Sequence, residues 1–255
     1  MKICAALSLL LATVLPTVAR GQTTTPVTPP DFDRPVSWKL MVPNLASDQK
    51  KIWTSPSHLN KRKYLIPALA FLGATAALVA LDSRTAPTFR DTTDFNGFNK
   101  VVSGSNAAYG TIAVPAVMYV TSFAIHDTKM RNTALLAAEA VAGSEILATV
   151  LKEAANRRRP SGVPVDGNYS DTWFENGKLL SNQGGFPSGH TIAAFSVATV
   201  VARRYRNHKW VPYVAYGLAG VVGFSRVSLS AHFVSDVFAG AALGYSISRF
   251  AVLRE

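Results

Sequence analysis

The sequence predicts an all-α fold, a helical bundle, and three observations carry that prediction. Apolar blocks of helical length recur along the chain and are divided by clusters of Gly, Asn, Asp and Arg. Strand signals, short alternating runs rich in β-branched residues between turn dipeptides, are sparse. No self-similar period of roughly 20 to 50 residues marks a solenoid or propeller.

The elements follow in chain order. Met1-Lys2, an apolar run from Ile3 to Leu15, Pro16 and then Ala19-Arg20-Gly21 form a secretory signal pattern. Cleavage is expected after Gly21, with Ala19 as second choice and an uncleaved anchor as the alternative. Gln22 to Pro35 is rich in Thr and Pro and reads as a linker, too polar to bury a core. Trp38 to Asn60 is mixed, and Ser55-Pro56 is expected to start a helix, because proline at the first helical position loses no hydrogen bond. Six blocks follow: Tyr64–Leu81 and Ala107–Ile125, both uncharged; Thr133–Leu151, apolar but for Glu139 and Glu145; then Ser188–Arg204, Val211–Phe224 and His232–Arg249. Gly240 and Gly244, one turn apart, suit close helix packing. The organisation expected is a signal peptide over 1–21, a Thr/Pro-rich linker and N-terminal segment over 22–54, and one helical domain over 55–255.

Composition narrows the functional classes. Hydrophobic residues make up 48% and charged residues 16%, apolar for a soluble protein yet too polar for one built wholly of membrane spans. The net charge of +11 suits a polyanionic partner: anionic headgroups, a phosphorylated substrate or nucleic acid. Nucleic acid is the weakest of these, since neither Cys/His finger spacing nor a basic region leading into heptads is present. The single cysteine, Cys4, lies within the signal segment, so a processed chain has neither disulfides nor thiolate metal sites.

Three short clusters carry chemistry. Lys152 is followed by Arg159-Pro160 at the end of the third block; such cations cap a helix dipole or face a phosphate. Pro187-Ser188-Gly189-His190 opens the fourth block, where Ser caps, Gly permits close approach and helix-start amides meet anions. Ser225-Arg226 precedes His232, and Asp236 stands four residues further on; on one helix that spacing puts His and Asp on a common face, the carboxylate orienting the imidazole. Together they offer a tetrahedral phosphate three cations, Lys152, Arg159 and Arg226, with neutral donors from Ser188 and Gly189 and two histidines for chemistry. His58, His126 and His208 read as solvated or capping groups.

In order and spacing these clusters resemble the three-part signature of the type 2 phosphatidic acid phosphatase and vanadium haloperoxidase superfamily. The resemblance runs from about Ser55 to Arg249. It implies a bundle of about six helices with the motifs meeting at one end. His232 would be the nucleophile, Asp236 its orienting partner and His190 the acid that protonates the leaving oxygen. Lys152, Arg159, Ser188, Gly189 and Arg226 would hold the phosphoryl oxygens.

The activity implied is that of a metal-independent phosphatase acting on a phosphate monoester or pyrophosphate, on a lipid or small ester, through a phosphohistidine. No cofactor is expected, and vanadate should inhibit. The alternatives are a vanadium-dependent haloperoxidase and a non-catalytic envelope protein that binds anionic lipid. The loop from Ser161 to Phe186, with Tyr169, Trp173 and Phe174, could close over the site or merely pack its own aromatics.

Membrane signals conflict. Tyr64–Leu81 and Ala107–Ile125 are long enough to span, whereas Thr191–Ala202 and Val211–Phe224 have the length of core helices. Arg203, Arg204, Arg206 and Lys209 form a cytoplasmic signal that puts the motifs on the periplasmic face. A cleaved signal leaves Gln22 outside, and three crossings from there would bring Lys152 inside. The expected location is the bacterial cell envelope, inner membrane or periplasm, with the site facing the periplasm.

Overall fold

Helix α1 spans Met41–Thr54, α2 Arg62–Asp91, α3 Asn96–Val101, α4 Gly104–Ala124, α5 Thr128–Ala155, α6 Gly189–Arg204, α7 Trp210–Ser228 and α8 Val234–Ser246, which runs on into a π-helical turn at Ile247–Val252. This is a computed structural model, and it describes residues 34–58, 61–175 and 183–254, among which there is no strand. The signal segment 1–21 and the linker as far as Asp33 lie outside the described residues.

The bundle is built around α6. It packs on α5, α7 and α8, while α4 lies on α5 and α2 on α8. Leu136, Ala140 and Leu147 of α5 meet Ile192, Val197 and Val200 of α6 and Ile247 and Val252 at the end of α8 in the main core. Gly240 and Gly244 are the seam between α8 and α6: a Cβ on Gly240 would sit 2.7 Å from the Ser188 carbonyl oxygen, and one on Gly244 3.1 Å from the Ser196 amide. No larger residue leaves the two backbones this close.

Local chemistry sets the helix ends. Ser103 caps α4 by accepting from Asn106 N at 3.2 Å, and Asp127 caps α5 by accepting from Met130 N at 2.9 Å. Asn156, left-handed at φ 40°, stops α5, a conformation asparagine tolerates better than most residues.

Two boundaries differ from the sequence expectation. Residues of the mixed N-terminal stretch form α1, and Ser55-Pro56 lies in a 3-10 turn (Ser55–His58) after it; the next helix starts at Arg62. Helix α1 has little apolar surface to announce it, and buries the carboxylate of Asp48 instead. Helix α2 continues ten residues past Leu81 to Asp91, because its polar continuation faces other protein: Asp82 is buried, and Arg90 donates to the Pro160 carbonyl at 2.7 Å.

Among the described residues three helices are long and apolar enough to cross a membrane, over Tyr64–Arg90, Gly104–Ala124 and Thr128–Gly162. Leu65, Ile66 and Leu69 on α2 and Ile112, Val117 and Val120 on α4 are exposed, apolar flanks of the kind lipid covers.

Candidate active site

Successive long helices run in alternate directions, so the C-terminal ends of α2, α5 and α7 and the N-terminal starts of α4, α6 and α8 gather at one end of the bundle. All eight residues singled out in the sequence lie there. Lys152 is on the last turn of α5 and Arg159 in the segment after it; Ser188 caps α6, whose first residues are Gly189 and His190; Arg226 is on the last turn of α7; His232 precedes α8 and Asp236 is in its first turn.

Short contacts hold them in place. A Cβ on Gly189 would lie 3.0 Å from Lys152 Nζ, so only glycine lets that ammonium approach the start of α6. Ser188 N donates to the Asp236 carbonyl at 3.0 Å, and Ser188 Oγ accepts from Thr191 Oγ1 at 2.9 Å, which leaves the serine hydrogen able to donate. Arg159 Nε donates to the Gln183 carbonyl at 3.1 Å. Arg226 is braced by Ser225 Oγ at 2.7 Å and by the Val102 carbonyl at 3.1 Å. His190 Nε2 bonds the Gly104 carbonyl at 3.1 Å, so the turn before α4 touches both Arg226 and His190.

The two histidines are held as opposite tautomers. A carbonyl oxygen can only accept, so His232 Nδ1, 2.7 Å from the Gly185 carbonyl, carries the proton and leaves a lone pair on Nε2. By the same reasoning Nε2 of His190 carries the proton directed at Gly104. Burial, then the charges of Arg226, His232 and Lys152, pull His190 down to about 4; burial also lowers His232, against the opposing pull of Asp236. Both imidazoles are thereby held neutral at neutral pH.

The pairing of His232 with Asp236 differs from the sequence expectation in its geometry. They do not share a helix face, because α8 begins only at Val234. Asp236 instead turns back to accept the Phe233 amide at 2.8 Å, and its other oxygen takes a bond from Arg157 Nη1 at 2.6 Å. His232 Nδ1 stands 3.6 Å from Asp236 Oδ2, an electrostatic neighbour and not a hydrogen-bond partner; Gly185 supplies the hydrogen bond.

Two residues at this end were not singled out as functional. Arg157 reads in the sequence as one of three consecutive arginines at a helix end, yet it is 1% exposed. Glu145 faces the place where Lys152 Nζ meets Gly189, its Oε2 3.4 Å from a Cβ there, whereas Glu139 is taken up by Arg34 and Asn44 far along α5. Of the loop after Ser161, Tyr169 is buried, Trp173 packs on Phe186 with ring centroids 5.3 Å apart, and Phe174 is exposed. A small recess lined by Thr85, Phe89, Pro160, Val227 and Ser230 opens onto His232. Among the described residues no three His, Cys, Asp or Glu side chains converge.

Comparison with known proteins supplies the kinship. The family model of the PAP2 superfamily matches residues 133–254. A lipid A 1-phosphatase of Rhizobium etli is 38% identical over 104 residues, 40% of this chain and 41% of the relative. Phosphatidylglycerophosphatase B of Bacillus subtilis is 35% identical over 107 residues, 39% of this chain and 46% of the relative. The matched stretches of these two relatives are thus less than half of their length. A solved transmembrane PAP2-type phosphatidylglycerolphosphate phosphatase from Bacillus subtilis superposes with a TM-score of 0.43 at 21% identity, covering 84% of this chain and 92% of that one.

Proposed function

We propose, from the match of residues 133–254 to the PAP2 superfamily model and from the site at this end of the bundle, that this chain is a lipid phosphatase working through a phosphohistidine at His232. The observation that carries the reading is the tautomer of His232: its Nδ1–H is fixed on the Gly185 carbonyl at 2.7 Å, so a bare Nε2 remains, with the Arg159 guanidinium close enough to act on the ring.

In the first step the Nε2 lone pair attacks phosphorus and the bond to the leaving oxygen breaks, that oxygen taking a proton from His190. Lys152, Arg159 and Arg226, with the Ser188 hydroxyl and the start of α6, neutralise the charge on the phosphoryl oxygens. In the second step neutral His190 takes a proton from water, which attacks the phosphohistidine and frees phosphate and His232. Burial, and after it the neighbouring cations, hold His190 down to about 4, so it can act as acid only once charged. A bound phosphate dianion offsets the part due to the cations and favours the protonated imidazole, so substrate binding is accompanied by proton uptake. These groups fill every role in the two steps, and for that reason the proposed mechanism has no metal ion.

The relatives named as lipid A 1-phosphatase and phosphatidylglycerophosphatase, with the apolar flanks of α2 and α4, favour a phosphorylated lipid as substrate. Orientation follows from charge. Lys129 and Arg131 at the start of α5, and Arg203 and Arg204 at the end of α6 with Arg206 and Lys209 before α7, stand at the end opposite the site, about 40 Å along α5 and about 24 Å along α6. Basic residues stay in the cytoplasm, so the site faces the periplasm.

The test is phosphate release from phosphatidate, phosphatidylglycerophosphate, lipid A and an aryl phosphate, with and without chelator. Wild-type turnover inhibited by vanadate, and its loss by at least about a thousandfold in His232→Ala, is the expected result. Turnover that survives in His232→Ala, or that a chelator abolishes and added metal restores, overturns the mechanism.

A further inference from the structure

Arg157 lies between the end of α5 and Arg159 and is wholly enclosed. Its Nε donates to Thr172 Oγ1 at 3.2 Å, Nη1 to Ser235 Oγ at 2.7 Å and Asp236 Oδ1 at 2.6 Å, and Nη2 to Asp82 Oδ2 at 2.7 Å. Its plane packs against the rings of Trp173 at 4.4 Å and Phe233 at 4.0 Å. A guanidinium committed in this way is not a phosphate ligand, unlike Arg159 two residues on.

Its position relative to His232 gives it a different part. The imidazole Nδ1 faces two acceptors, the Gly185 carbonyl at 2.7 Å and Asp236 Oδ2 at 3.6 Å. Gly185 is held by its own amide, which donates to the Arg157 carbonyl at 2.7 Å. Asp236 is held by the Arg157 guanidinium. One residue thus fixes both acceptors, by main chain and by side chain, and ties them to α2 through Asp82. The Asp236 carboxylate beside Nδ1 favours positive charge developing on His232 as its Nε2 bonds to phosphorus. A lysine could not reach all four of these acceptors.

We infer that Arg157 is a positioning residue for His232, fixing the two acceptors that face its Nδ1 and anchoring them to Asp82 on α2. The inference rests on the phosphatase reading above.

The experiment compares Arg157→Met, Arg157→Lys and Asp82→Asn with wild type in one detergent, reading kcat, KM and vanadate inhibition of the same ester. Arg157→Met should lose about a hundredfold in kcat while KM and the vanadate inhibition constant stay within about threefold, because the phosphate ligands are untouched. Arg157→Lys should regain about tenfold of that loss, and Asp82→Asn, which leaves Arg157 on Asp236, should lose about fivefold.

Wild-type kcat in Arg157→Met, or a parallel loss of kcat and vanadate affinity, overturns the positioning role. Should Arg157→Met not fold, full kcat in both Arg157→Lys and Asp82→Asn overturns it equally. These outcomes are separate from failure of the phosphatase reading itself, which would appear as absent wild-type turnover or as activity persisting in His232→Ala.

Discussion

Arg34 and Arg157 each bridge a pair of buried carboxylates, the first Asp48 and Glu139, the second Asp82 and Asp236. By composition and burial the two clusters are nearly the same object. Arg34 joins the start of the described chain to α1 and to the middle of α5, with Asn44 also bonded to Glu139 at 2.9 Å; nothing in it touches the histidines. Arg157 joins α2 to the first turn of α8 and stands one residue removed from His232 on two sides. A buried ion pair costs desolvation and offers little net stability over an apolar replacement, but it is costly to break. The first cluster fastens an N-terminal helix to the bundle. The second does the same for α2 and α8 and, on the proposal above, also aims the nucleophile.

The sharpest way to break this contrast is to remove one carboxylate of the second cluster. Asp236→Asn should keep the cap on the Phe233 amide and remain folded, yet lose about a thousandfold in kcat, since the charge behind His232 and the bond to Arg157 are weakened together. Near-normal turnover in that variant would reduce the second cluster to a fastening like the first.

Next in size is the converse experiment. Arg34→Met leaves Asp48 and Glu139 without their cation and should lower unfolding stability by about 3 to 5 kcal/mol, while turnover per folded molecule stays within about twofold. Thermal unfolding in detergent and kcat measured well below the transition check both halves. A selective loss of kcat in this variant would mean that α1 reaches the site after all, and the two clusters would no longer divide the labour.

The smallest expected effect concerns His190, which belongs to neither cluster. Its folded value of about 4 lies below its ordinary 6.5, so between those values the unfolded chain binds a proton that the folded one does not. Stability of the empty protein therefore falls as pH drops through that window. His190→Gln should flatten the decline in melting temperature between about pH 6.5 and pH 4. Identical slopes in wild type and variant would show that His190 is not held neutral in the empty site.

What could be read from the sequence, and what could not, follows the same division. The three motif clusters were legible because each is a short run of unusual residue types at the end of an apolar block, and helix ends are where such residues meet. Arg157 was hidden among Arg158 and Arg159: a run of cations at a helix C-terminus already has an explanation in the helix dipole, and nothing local shows that the first is buried and the second exposed. His232 and Asp236 were placed together correctly but by the wrong geometry, since spacing alone does not reveal that Phe233 caps the helix between them. Helix α1 was missed because its burial is ionic as much as apolar; Asp48 looks like a solvent-facing residue until Arg34, fourteen positions earlier and beyond Pro35, is seen to return to it.

The seam at Gly240 and Gly244 bears on the order in which the protein becomes competent during synthesis. Lys152, Arg159 and His190 are all made before α8, the last of the described helices, and they can gather at one end of a partly inserted bundle as a patch that attracts anions. His232 and Asp236 join them only when α8 has settled against α6 across that glycine seam, where neither backbone leaves room for a misaligned fit. On the mechanism proposed above, a nascent chain holds its phosphate-binding groups before its nucleophile, and the docking of α8 completes the site. A bulky residue at Gly240 should then lower turnover by disturbing that seam, with every side chain named for the mechanism still present.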